Sequence, residues 1–193
     1  MGLLSGTLRI RRYQPQCHAP DDLAEVVQKY AFGGFQEGDE REEVAGWVSA
    51  GDPYAAPTDI RVGNRIALGL RVDRKRIPGR FLRESCRATE EVWKLRGGRE
   101  VLTRAERDEI KTIVRKQLLE RAIPSMGVAE MVWDLERGVV LFTNTSEKQN
   151  ELFRHLFQVT FGGALLLLFP YSLAVQTCGP ELVDRILPAT FCP

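Results

Sequence analysis

The hydrophobic rhythm of this chain changes twice along its length, from alternation to a helical repeat and back, so neither an all-helical nor an all-strand fold satisfies it. Around Thr7-Leu8-Arg9-Ile10-Arg11, and again over residues 65–72 where Ile66, Leu68 and Leu70 share a face, apolar and polar residues alternate as in half-buried strands. A further short strand is expected at 46–49. Over residues 78–96 the spacing lengthens, and Leu82, Cys86, Thr89 and Trp93 fall on one helical stripe. Gly97-Gly98 breaks that helix. Thr103-Arg104-Ala105-Glu106 then spells a capping box, in which hydroxyl and carboxylate satisfy each other's backbone amides. The second helix presents Ile110, Ile113, Val114 and Leu118 to an apolar side and ends before Pro124. Alternation returns at 128–135 and 139–143, a β-hairpin turning at Glu136-Arg137-Gly138.

Three more segments complete the reading. Pro20-Asp21-Asp22 opens a helix to about Phe32, with Asp as its cap, Leu23, Val26, Val27 and Tyr30 on one face, and Gly33-Gly34 as its stop. Ser146 to Gln149 is a second capping-box spelling, heading a helix that buries Leu152, Phe153, Leu156 and Phe157. Residues 165–169 are expected to form a buried strand, and Glu181 to Leu187 carries a short helical hint. The sum is an α+β fold: one domain over 1–193, a mostly antiparallel sheet with packed helices, and a helical hairpin inserted at 77–123.

At 193 residues the chain can bury a real core. Its formal charge of +1 conceals a segregation: residues 60–121 hold 18 basic and 9 acidic residues, net +9, and the remainder 9 and 17, net −8. The acidic share includes residues 36–43, read as a solvated loop. The start, Met-Gly-Leu-Leu-Ser-Gly, lacks the charged region and apolar core of a signal peptide, and Gly at position 6 argues against myristoylation. The longest apolar run, 164–169, falls far short of the ~20 residues of a membrane helix. Four cysteines, Cys17, Cys86, Cys178 and Cys192, lack paired spacing, so the expectation is a cytoplasmic protein with free thiols, no metal and no cofactor.

Catalysis finds little support in the residues. His18 and His155 are the only histidines, and adjacent Cys17 and His18 in a strand point opposite ways, which is wrong for a thiolate–imidazole pair. Asp21 and Asp22 read as helix-start residues rather than metal ligands. The expectation is no enzyme.

The basic hairpin is the informative feature. Arg80, Arg83, Arg87 and Lys94 form a stripe on the first helix, Arg104, Lys111 and Arg115 a neighbouring one on the second, and Arg74-Lys75-Arg76 extends both. A solvated helix face ordinarily mixes both signs. This twofold excess of base builds a positive patch, and such a patch most often meets nucleic acid. No base-reading motif is present, so binding is expected to go through the phosphate backbone, without regard to sequence and with strong dependence on salt. The alternative is a protein-interaction module whose hairpin docks on an acidic surface, such as the 36–43 loop of a second copy.

A set of residues in order gives this reading a family. They are Gly46-Trp47-Val48, Ile77-Pro78, Gly98-Arg99, Leu102, Glu106, Asp108, Ile110-Lys111, Val114, Leu118-Leu119, Arg121-Ala122, Trp133-Asp134, Gly138, Ser146 and Lys148. Over 46–155 the chain resembles the bacterial RdgC family of recombination-associated, nucleoid-bound proteins, as a shortened member. The resemblance implies non-specific duplex binding by a dimer that closes into a ring, and restraint of the strand-exchange recombinase by covering DNA. It implies a nucleoid-associated homo-oligomer, and it does not establish catalysis, although an exonuclease label has circulated for the family. It also implies a subunit contact at the Arg of the Leu-Leu-x-Arg-Ala-Phe run and the Phe after it: here Arg121 matches, and Ile123 stands in place of the Phe. Members of the family run longer than this chain, and the resemblance gives that further part ring contacts and DNA-facing residues.

Overall fold

The computed structural model describes residues 9–98, 100–183 and 185. Among them the elements run β1 (Arg11–Pro15), α1 (Leu23–Lys29), β2 (Glu43–Ser49), β3 (Arg61–Val62), β4 (Arg65–Arg74), α2 (Gly79–Gly97), α3 (Arg104–Arg121), β5 (Ser125–Asp134), β6 (Val139–Phe142), α4 (Glu147–Phe161), β7 (Leu165–Leu167), α5 (Pro170–Cys178) and α6 (Pro180–Val183). The strands form one sheet in the order β2-β4-β5-β6-β1-β7, with β3 paired to β4. β1 is antiparallel to β6 and β7, β3 to β4, and β5 to β6. The fold is α+β, and α2 and α3 lie in the connection between the neighbouring strands β4 and β5.

The chain forms two compact units. One comprises the residues up to Ala31, Gly46–Leu70 and Val128 onward. Its core is aromatic. Phe142 stacks on Phe153 with ring centroids 3.9 Å apart, Trp47 meets Phe153 edge-on at 6.2 Å, and Trp133 packs against Phe157 and Phe161. The polar atoms in this core are satisfied: the Trp47 indole donates to Thr160 Oγ1 at 2.8 Å, and Tyr13 donates to Asn150 Oδ1 at 2.6 Å. The hairpin register sets Trp133 opposite Val140, and Gly138 takes the positive φ of 61° that its turn requires.

The other unit comprises Phe32–Ala45 and Arg71–Gly127. Its apolar cluster is Leu102, Ile110 and Val114, against which Leu82, Cys86, Trp93 and Leu118 pack. Of the residues that the spacing predicts, Leu82, Cys86, Trp93, Ile110, Val114 and Leu118 are in this cluster and Thr89 and Ile113 are not, Ile113 being 38% exposed; Leu102 joins from outside the predicted stripes.

Several local expectations shift. The first strand begins at Arg11; Arg9 and Ile10 are outside it, and Thr7 and Leu8 lie outside the described residues. α1 ends at Lys29, and its N-cap Asp22 makes no side-chain cap bond; only Val27 of its apolar face is buried. The second capping-box spelling does not form one, since the Ser146 side chain makes no cap bond. Instead Asn144 Oδ1 accepts from the Ser146 amide at 2.8 Å, and Asn150 Nδ2 donates to the carbonyls of Asn144 and Ser146. Leu165 alone is buried in β7, because this strand pairs only with β1 at the sheet edge, leaving Leu166 and Leu167 exposed. Pro170 opens α5, its fixed φ suiting a first helical turn. Of the hint at 181–187, Glu181–Val183 belongs to α6; Asp184, Ile186 and Leu187 lie outside the described residues.

Candidate nucleic-acid interface

The hairpin positions its cations through its caps and its core. α2 follows Pro78 and ends where Gly98, at φ 59°, donates its backbone N–H to the Lys94 carbonyl. α3 opens with a complete capping box: the Glu106 amide donates to Thr103 Oγ1 at 3.3 Å, and the Thr103 amide donates to Glu106 Oε2 at 2.8 Å. With the apolar stripes turned toward each other, the arginines and lysines are left at the surface.

These cations fall into two groups. Arg76, Arg80, Arg83, Arg87, Arg104 and Lys111 are exposed, and among the described residues none of them has an ion pair. The remaining four are engaged. Lys94 pairs with Glu91 at 3.0 Å, one helical turn away. Arg115 pairs with Glu42, and Arg74 with Glu43. The Lys75 ammonium sits 4.7 Å above the centroid of the Phe35 ring. Lys116, which the stripe geometry leaves out, pairs with Glu40 at 2.6 Å, and that contact raises its pKa. The acidic loop is therefore paired within the chain, and its last residue, Glu43, belongs to β2.

Arg121 and Ile123 lie together, lining a cleft of about 280 Å³ with Arg76, Ile77, Pro78, Phe81, Leu118 and Ala122. Ile123 is 91% exposed and Phe81 57%, so this cleft carries apolar surface beside two guanidiniums.

Groups that could do chemistry are arranged otherwise. Cys17 and His18 line a separate cleft of about 600 Å³ with Glu136 and Arg137. Burial pushes the Cys17 thiol up from its ordinary value, away from the thiolate a nucleophile needs. Cys86 is likewise pushed up, first by burial and then by Glu90, against the opposing charge of Lys111. His155 is exposed on α4, and Asp21 and Asp22 are exposed. Among the described residues no group of three or more His, Cys, Asp or Glu side chains could hold a metal ion, and no helix is long and apolar enough to cross a membrane.

An α+β scaffold with a basic helical hairpin between neighbouring strands is thus the class of molecule in hand. A family model described as "Putative exonuclease, RdgC" matches residues 7–178 of the 193, and the chain belongs to the RdgC family. No curated protein gives a significant match. The word exonuclease in that description leans against the expectation that the chain is not an enzyme.

Proposed function

We propose that the protein binds double-stranded DNA through its phosphates, without regard to sequence, and modulates homologous recombination by covering DNA and limiting recombinase access. Membership of the RdgC family supports a recombination-related role. The observation that carries the DNA-binding part is a group of exposed cations on α2 and α3, Arg80, Arg83, Arg87, Arg104 and Lys111, that have no ion pair among the described residues. With Arg76, five of these six cations are arginines, and the guanidinium fork suits phosphate oxygens. Each such contact releases counterions from the duplex, so affinity falls steeply with salt. The protein acts as a homo-oligomer in association with the nucleoid, with Arg121 and Ile123 at a subunit contact.

The test reverses three charges, Arg83→Glu, Arg87→Glu and Lys111→Glu, at exposed positions outside the apolar cluster. Anisotropy of a labelled duplex should report at least a tenfold loss of affinity, with the thermal transition unchanged. Unchanged affinity removes the hairpin from the site.

The family description favours a second reading, a nuclease. Magnesium-dependent shortening of the same labelled duplex, absent with EDTA, would support it. An intact duplex over hours at saturating protein supports coverage alone.

A further inference from the structure

We propose that residues 36–43 form an acidic strap that occupies, in cis, a phosphate-binding extension of the basic face. The inference rests on the DNA-binding reading above and adds to it a site, its ligand chemistry and a competitor. Glu40 takes Lys116, Glu42 takes Arg115 and Glu43 takes Arg74, so three carboxylates spread over four residues hold three cations of α3 and β4. The backbone follows the same path: the Lys75 amide donates to the Glu42 carbonyl at 2.8 Å, and the Lys75 ammonium lies over Phe35. Asp39 takes no part. Arg41 donates to it through its backbone amide and its guanidinium, which tightens the strap's own turn.

A carboxylate on a guanidinium or ammonium occupies the position that a phosphate oxygen would take. Arg74, Lys75, Arg115 and Lys116 therefore form a cationic cluster whose present occupant is a short run of acid. Two of the pairs are solvent-exposed, about half for Arg115 with Glu42 and more for Lys116 with Glu40, so these two are individually weak, whereas Arg74 with Glu43 is half-buried. A ligand with regularly repeated charge can displace such a strap, whereas a single small anion cannot engage all the cations together. The chemistry points to the phosphodiester backbone of a nucleic acid, and the strap lowers affinity by competing for the same groups.

The test uses the full chain and a labelled duplex at several salt concentrations. One variant carries Glu40→Gln and Glu42→Gln. Its control removes the same charge at exposed Glu25→Gln and Glu151→Gln. The strap variant should bind roughly tenfold tighter at low salt, and its salt slope should steepen by up to about 2, at roughly 0.9 per freed cation. The control should stay within about twofold of the unaltered protein. Equal behaviour of both variants, with the unaltered protein binding duplex, overturns the strap and leaves the binding reading standing. Absence of duplex binding in all three proteins removes both. A readout without DNA is amide hydrogen exchange at Asp39 and Lys75, which should quicken in the strap variant; unchanged exchange there also overturns the strap.

Discussion

At the scale of single residues, periodicity located side chains that pack along one element and missed those decided by a distant one. Leu82, Trp93, Ile110 and Val114 were readable because a helix repeats every 3.6 residues and an apolar stripe must face something. Ile113 follows Ile110 at the same helical spacing and is nonetheless 38% exposed, because the apolar face is narrower than the repeat allows. The partners of Arg115 and Lys116 stand more than 70 positions away in sequence and leave no local signal. Gly163 is of the same kind. Nothing in its neighbourhood marks it, yet a Cβ there would lie 2.4 Å from Cys17 Cβ, 2.5 Å from its sulfur and 3.1 Å from its amide nitrogen. Two of these three atoms cannot rotate away. Gly163→Ala should therefore lower stability by about 2–3 kcal/mol, the cost of an overpacked contact. A urea titration should show a lower midpoint at unchanged slope. Adding Cys17→Gly, which removes the clashing Cβ and sulfur, should recover part of the loss. An unaltered midpoint in the single variant would mean that this approach is not present in solution.

At the scale of elements, the same spelling gave two outcomes. Thr103-x-x-Glu106 and Ser146-x-x-Gln149 both read as capping boxes, and only the first forms one. The difference arises upstream and downstream of the four-residue window. Asn144 already satisfies the Ser146 amide, and Asn150 ties the first turn of α4 to the carbonyls before it, so the Ser146 hydroxyl makes no cap bond. The element was legible, and its capping chemistry was not. Two substitutions separate the cases. Thr103→Ala removes an acceptor that the Glu106 amide uses and should cost about 1 kcal/mol. Ser146→Ala should cost close to nothing. Chemical denaturation of both variants checks this, and equal losses would refute the distinction. The edge strand β7 shows a related effect: the apolar run 165–169 reads as a buried strand, but the strand's place next to β1 alone leaves two of its three leucines exposed.

At the scale of the whole molecule, charge segregation was readable from the sequence, because it needs only counting: +9 over residues 60–121 against −8 elsewhere. What counting could not resolve is which cations remain available, since that depends on where the acid folds. Among the described residues, the ten cations proposed to meet DNA divide into six without ion pairs and four engaged, and this division makes a quantitative expectation. Any ligand that binds only the folded protein stabilises it, by about 2.7 kcal/mol at a hundredfold excess over Kd. With six phosphate contacts, raising salt from about 50 to about 200 mM weakens binding by roughly a thousandfold. The same duplex concentration then lies roughly tenfold below Kd, and the stabilisation shrinks to under about 0.1 kcal/mol. Duplex DNA should thus raise the melting temperature by several degrees at low salt and leave it unmoved at moderate salt. Two duplexes of equal length and unrelated sequence should do so equally, because phosphates carry no sequence information. Differential scanning fluorimetry with both duplexes at both salts measures all four corners. A shift that persists at moderate salt would point to contacts other than phosphates. A shift given by only one duplex would point to base readout, for which the hairpin has no motif.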